Sequence, residues 1–308
     1  MKRIHAAMAI AVAVTLTACT TIDQRPVAAT PSSQSSLAPA HGALLGHYYG
    51  SGTIAETDAR IGRKPAIHLT YYNWKDDWVT SDATRSDLAD GRIPLINWEP
   101  FGVDFDDITA GKLDDTIKAR ADGVKTLKAK VMLDFAAEMN EEEGWGDHSP
   151  ARYIAAYRHI HDLFTARGVT NVEWAWCPNN TDSDGAPTAM AYYPGDAYVD
   201  WTGIDGYNWG TSDPDFEWQT FEEVFAGLYD DLAKVGKPVI IGESASDETG
   251  GDKAAWIAGI VPTLQQRFPL IKAFVWFDIA KERQWQLTSS PAALQAYQNL
   301  AANPYFAP

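Results

Sequence analysis

Apolar runs recur along the chain, separated by stretches with helical spacing. Eight of them read as strands: residues 43–49, 66–72, 93–98, 130–135, 171–177, a run within 198–207, 238–242 and 271–277. Several are continuous rather than alternating, as expected of parallel strands covered on both faces. Ser149-Pro150 caps and starts a helix that ends near Gly168, with Ile154, Tyr157, Ile160 and Phe164 on its buried stripe. Thr220 and Glu223 match a capping box, and Gly236 supplies the stop. Residues 254–268 and 291–300 give two more helices, with Pro262 expected to kink or split the first. The gaps after the first two strands carry weaker helical signals. Strands and helices in alternation over residues 41–308 predict an α/β fold, a (β/α)8 TIM barrel of one domain. A doubly wound open sheet is the rival, but it carries fewer strands and its glycine-rich nucleotide loop is missing from the sequence.

Residues 1–40 have a different texture. Lys2 and Arg3 precede an apolar run over residues 6–14, and Leu16-Thr17-Ala18-Cys19 closes it. The run is short for a membrane span and has the layout of a secretory leader. Residues 1–18 therefore read as a lipoprotein signal peptide with lipid attached to Cys19; a plain secretory signal is the alternative. Residues 19–40, rich in Ser, Pro, Ala and Thr, read as a flexible tether. Either leader implies an exported protein, a cell-envelope lipoprotein or a secreted one, touching membrane only through Cys19. With lipid on Cys19, Cys177 stands alone and no internal disulfide forms.

Composition narrows the partners. A net charge of −16 argues against nucleic acid. The 12 tryptophans and 13 tyrosines suit sugars, whose CH faces stack on flat rings while their hydroxyls meet polar edges. No phosphate loop and no metal-ligand spacing is visible in the sequence, so no cofactor and no metal is expected; His159 and His161, two apart on a helix, point to different faces. A monomer is expected.

Chemistry is suggested by two carboxylates. The strand at 130–135 leads directly to Glu138, and the strand at 238–242 leads to Glu243. In a barrel these positions fall at the mouth formed by the carboxyl ends of the strands. Two facing carboxyls hydrolyse glycosides, with retention at a separation of about 5–5.5 Å and inversion at roughly 6.5–9.5 Å.

The segments DFAAEMN (134–140), HSPARYIAAYRHIHDLF (148–164), TNVEWAWCPN (170–179), YVDWTGIDGYN (198–208), KPVIIGES (237–244), GGDKAAWI (250–257) and the closing NPYF resemble glycoside hydrolase family 26. That family comprises mainly β-mannanases of the retaining (β/α)8 clan. The resemblance implies Glu138 as acid/base and Glu243 as nucleophile. It further implies that Tyr207 hydrogen-bonds the nucleophile, that Trp276 is the platform under the cleaved sugar, and that Trp145 lines the leaving-group subsite. Trp98, Trp176 and Asn140, at strand ends near these positions, are further substrate-binding candidates; Trp74, Glu99, Asn179, Asp205, Trp209 and Asp278 are weaker ones. The implied activity is a retaining, endo-acting hydrolysis of β-1,4-mannan or a related β-linked polysaccharide. The family usually reads Arg-Phe-Ala-His-Glu-Met-Asn-Gly around the acid/base, whereas this chain has Asp134, Ala137 and Glu141 at the Arg, His and Gly positions. These departures leave open a mixed-linkage β-glucanase, an exopolysaccharide hydrolase, or a non-catalytic barrel that binds polysaccharide at the envelope. A purely structural lipoprotein would lack an aromatic-lined cleft beside the two glutamates.

Overall fold

Eight parallel strands pair in sequence order: β1 (Ala43–Tyr48), β2 (Ile67–Asn73), β3 (Ile93–Glu99), β4 (Val131–Phe135), β5 (Val172–Trp176), β6 (Trp201–Asn208), β7 (Val239–Ser246) and β8 (Ile271–Phe277). Because β1 pairs with both β8 and β2, the sheet closes on itself. The computed structural model describes residues 35–50, 52–141 and 145–307; the leader, Cys19 and the tether through residue 34 lie outside the described residues. Around the barrel run α1 (Ile54–Ile61), α2 (Asp82–Asp90), α3 (Phe105–Thr109), α4 (Asp114–Val124), α5 (Pro150–Ala166), α6 (Phe221–Val235), α7 (Lys253–Gln266) and α8 (Pro291–Ala301). A two-residue strand, β9 (Phe306–Ala307), lies against Ala43 and Leu44. The fold is the (β/α)8 barrel that the apolar runs predict. Among the described residues no helix is long and apolar enough to cross a membrane.

The helices with weak sequence signals are fixed at their ends. Thr53 and Glu56 form a capping box at the start of α1, and left-handed Gly62 ends it. Ser81 caps α2, and Gly91 closes it in the same way. Helix α7 runs unbroken through Pro262. The hydroxyl of Thr263 donates to the Gly259 carbonyl at 2.9 Å, one turn back.

Residues 35–40 correct the tether boundary. The Ser35 and Ser36 hydroxyls and the Ser36 backbone N–H donate to the Glu173 carboxylate. Lys130 and the Trp201 indole complete its shell, at 2.8 and 2.9 Å. Burial raises the Glu173 pKa, but these donors outweigh it and hold the group at about 2. Leu37 and Ala38 pack against the core. A buried carboxylate on β5 therefore recruits the end of the predicted tether into the fold.

Strand register sorts each strand's residues between barrel interior and helical layer. Tyr71, Asn97 and Asp134 are lateral neighbours across β2, β3 and β4. Tyr48 lies beside Phe277 on β1 and β8, and Asp205 beside Glu243 on β6 and β7. The residues one step along, such as Trp98 and Trp276, point to the opposite face.

Candidate active site

A cleft of about 640 Å³ opens at the carboxyl ends of the strands. Each of the eight strands, or the loop that follows it, contributes to the lining: Tyr48, Tyr71, Asn97, Glu138, Asn179, Tyr207, Glu243 and Phe277, in strand order. The aromatic part is continuous. Tyr48 stacks on Phe277 at 4.7 Å, Phe277 meets Tyr207 edge-on at 5.8 Å, and Tyr207 lies 4.9 Å from Trp285.

Glu243 is aimed by a bulge. The β6–β7 register passes from Ile204–Ile241 to Asp205–Glu243, leaving Gly242 extra. A Cβ on Gly242 would meet the Asp205 carboxylate at 2.6 Å and the Cys177 sulfur at 3.2 Å, so Gly242 faces the interior. Two consecutive residues thus look inward, which regular alternation forbids and a bulge permits. The Glu243 carboxylate is 7% exposed and richly supplied with donors. Tyr207 donates to Oε2 at 2.5 Å, while Tyr71 and, at 3.4 Å, Asn97 donate to Oε1.

Glu138 lies beyond the end of β4, in a kinked segment. Ala136 and Glu138 both adopt left-handed backbone, with φ of 54° and 55°. Such strain in residues bearing a Cβ persists only where the surroundings enforce it. Here the Ala136 N–H donates to the Trp98 carbonyl at 3.2 Å and the Glu138 N–H to the Cys177 carbonyl at 2.8 Å, pinning the kink to β3 and to the end of β5. The carboxyl accepts from Asn179 Nδ2 at 2.9 Å, and Glu141 accepts from the same nitrogen. The orientation of that amide follows from its other end, where Oδ1 accepts from the backbone and hydroxyl of Thr181, both at 3.0 Å.

The two carboxyls titrate differently. Burial, then the charges of Glu243 and Glu141, push the Glu138 carboxyl well above the usual range. Burial also raises Glu243, but its bonds from Tyr207 and Tyr71 and the nearby Lys281 ammonium oppose the shift. Of the pair, Glu138 keeps its proton and Glu243 gives its proton up first. Burial and the Glu243 charge also bring Glu99, on the cleft wall, up to about 7. Beneath the cleft, Asp134 is 1% exposed and shares a hydrogen bond with Cys177; burial pushes it up to about 7. Among the described residues no group of His, Cys, Asp or Glu is arranged to hold a metal ion.

The structure brings Glu138, Glu243, Tyr207 and Trp145 together on the cleft lining. Trp145 donates its indole N–H to the Ala137 carbonyl at 2.8 Å. Four other expected contacts are corrected. Trp276 is fully buried on the outer face of β8, 6.2 Å from Trp256 and 5.4 Å from Tyr297 on the helices behind it. Its indole N–H supports the Trp285 carbonyl, and Trp285 and Phe277 are the β8-side aromatics that reach the cleft. Trp98 is buried face to face with Trp74 at 4.4 Å. Trp176 is buried against Tyr193 at 5.1 Å. All three tryptophans occupy outward positions next to inward ones. Asn140 is fully buried and braces the loop that carries Asn179, donating to the Asn179 and Thr181 carbonyls and accepting from the Asn179 N–H. Sequence reasoning missed Tyr71, Asn97, Lys281 and Phe277, and marked Glu141 only as a departure from the family pattern. For Asn97 a signal existed, a lone amide inside the apolar run 93–98.

Comparison with known proteins bears on the family and on the fold. The sequence profile described as Glycosyl hydrolase family 26 matches residues 102–236. Endoglucanase H of Acetivibrio thermocellus is 38% identical over 269 residues, covering 83% of this chain and 30% of that protein. A mannan endo-1,4-beta-mannosidase of Bacillus subtilis is 28% identical over 209 residues, covering 62% of this chain and 50% of that one. The chain thus spans about a third to a half of the length of these curated relatives. Among solved structures, the Bacillus subtilis mannanase man26 superposes with a TM-score of 0.61 at 21% identity, over 83% of this chain and 84% of that chain.

Proposed function

Since the chain belongs to glycosyl hydrolase family 26, we propose that it cleaves a β-linked polysaccharide internally and with retention, Glu138 serving as acid/base and Glu243 as nucleophile. The observation that carries this reading is the pairing of the two glutamates in one aromatic-lined cleft, one held by donors and the other beside like charges. In the first step Glu138 gives its proton to the glycosidic oxygen, the leaving sugar departs as an alcohol, and a Glu243 oxygen bonds to the anomeric carbon. In the second, water adds to that carbon while its proton passes to Glu138, and the Glu243 ester bond breaks. Both catalytic groups return to their starting states. Tyr207, Tyr71 and Asn97 hold Glu243 in line and favour its charged form; Asn179 fixes the Glu138 carboxyl.

The motifs around Glu138 and Glu243 support β-1,4-mannan as substrate. The higher identity to a protein named as an endoglucanase supports a β-glucan instead, as does the Ala137 methyl group on the cleft wall, where the family usually carries a histidine. A panel of purified β-1,4-mannan, β-1,4-glucan and mixed-linkage β-glucan decides between them by the appearance of new reducing ends. No release from any β-glycan refutes the hydrolase and leaves a polysaccharide-binding barrel.

The amino-terminal pattern supports export, removal of residues 1–18 and lipid on Cys19 at the cell envelope. Replacing Cys19 with Ser should move the protein from the detergent phase to the aqueous phase; unchanged partitioning refutes the anchor. Light scattering checks the expected monomer.

A further inference from the structure

Among the described residues two large apolar side chains are exposed, Phe101 at 59% and Phe216 at 38%. Single exposed apolar residues are ordinary on protein surfaces, so exposure alone carries little. Their positions carry more. Phe101 follows β3, lines the cleft and meets Trp145 edge-on at 4.8 Å, on the Glu138 side. Phe216 follows β6 and lies nearly parallel to Trp209 at 4.9 Å, with an interplanar angle of 20°. Trp209 also lines the cleft. The Arg283 guanidinium sits 5.1 Å from the Trp209 ring and 5.4 Å from the Phe216 ring, and donates to the Trp209 carbonyl. β3 and β6 stand three strands apart in an eight-strand ring, so each phenyl extends the aromatic lining outward on a different side.

We propose that Phe101 and Phe216 are outer sugar platforms, one on the leaving-group side and one on the opposite side, which seat glycan rings beyond the pair that flanks the cleaved bond. The occupant is a β-glycan chain because both phenyls continue the aromatic lining of the cleft and each rests on a cleft tryptophan. The inference rests on the function proposed above and deepens it. Platforms at both ends make the cleft suited to the interior of a chain.

The test compares long and short substrates for Phe101→Ala and Phe216→Ala, with Phe101→Tyr and Phe216→Tyr as conservative partners. On polymer, each Ala variant should lose about tenfold in kcat/KM, and the Tyr variants should recover it. On aryl oligosaccharides with no sugar beyond the leaving group, Phe101→Ala should match the parent. On the shortest aryl glycoside turned over, Phe216→Ala should match it as well. Equal losses on long and short substrates, or no loss on polymer, overturn the platforms while leaving the hydrolase standing. If the parent protein cleaves no glycan, the functional reading fails separately, and gel retardation by immobilised polymer reads the platforms directly. Retardation abolished in the Ala variants supports them; no retardation of the parent, or unchanged retardation of the variants, overturns them.

Discussion

Glu243 sits within a strand and Glu138 beyond the end of one, and the two carboxyls are held in correspondingly different ways. Around Glu243 the backbone is extended, with one bulged glycine to turn the side chain inward, and three donors from β2, β3 and β6 reach its oxygens. Around Glu138 the backbone is left-handed, one amide supplies the side-chain hydrogen bond, and two other carboxylates lie close by. One side chain in two settings acquires two protonation preferences. The strand supplies donors that stabilise charge, whereas the kink places the second carboxyl where a charge is poorly compensated. If the roles proposed above hold, the division of labour between the two carboxyls is written into backbone geometry as well as residue type.

The largest effect tests which glutamate has which role. Glu243→Ala should lower kcat by roughly 10⁴-fold or more, since no covalent intermediate forms. Added azide should enter the vacated space and give a glycosyl azide of inverted configuration. The same anion with Glu138→Ala should give the retained product, because Glu243 still attacks first. Interchanged stereochemistry would reverse the assignment. A somewhat smaller effect follows for Glu138→Ala alone. Polysaccharide turnover should fall about 10²–10⁴-fold, the usual contribution of general acid catalysis. Formation of the glycosyl-enzyme from dinitrophenyl glycosides, whose leaving group needs no proton, should be nearly unaffected. An equal fall in that step on both substrates would remove Glu138 from the acid role.

The barrel and the glutamate pair were legible in the sequence, whereas the facing of the tryptophans was not. Long apolar runs such as 130–135 and 171–177 declare buried parallel strands, and Glu138 and Glu243 stand just past such runs. The same continuity hides which way each residue points. A strand apolar on both faces lacks the alternation that distinguishes core from mouth. Trp98, Trp176 and Trp276 accordingly look like mouth residues from their position along the strand, yet each faces the outer layer. Tyr71 and Phe277, on inward positions, carry no mark of that orientation in sequence. The bulge at Gly242 is equally silent, because the groups that leave no room for a Cβ there, the Asp205 carboxylate on β6 and the Cys177 sulfur just after β5, are distant in sequence. Glu173 shows the same limit at the other end of the chain, since its need for donors orders residues 35 and 36, which composition alone assigns to a tether.

The donors around Glu243 can be removed one at a time. Tyr71→Phe or Tyr207→Phe deletes one charge-assisted hydrogen bond, which should lower kcat/KM about tenfold. The pH profile gives the sharper reading. Activity on the acid side is lost as Glu243 takes up a proton. A donor to the carboxylate lowers that pKa, so removing it must raise the pKa and move the acid limb to higher pH. The basic limb, which belongs to Glu138, should move far less. An acid limb that stays in place would show that these phenols only pack against Glu243.

The smallest effect sharpens the other half of the comparison. Glu141 stands where the family usually has glycine, shares the Asn179 amide with Glu138, and its charge is among the causes that keep Glu138 protonated. Glu141→Gln removes the charge but leaves a carbonyl able to accept from Asn179, so the orientation of Glu138 is preserved. Activity on the basic side is lost as Glu138 releases its proton. Losing a neighbouring negative charge makes that release easier, so the basic limb should move to lower pH by about half a unit. Near the optimum, turnover should change less than about threefold, corresponding to well under 1 kcal/mol. A profile measured from pH 4 to 9 on one soluble substrate decides the matter. A basic limb that is unmoved, or moved upward, means that Glu138 owes its proton to burial and Glu243 alone, and that Glu141 serves the loop rather than the acid.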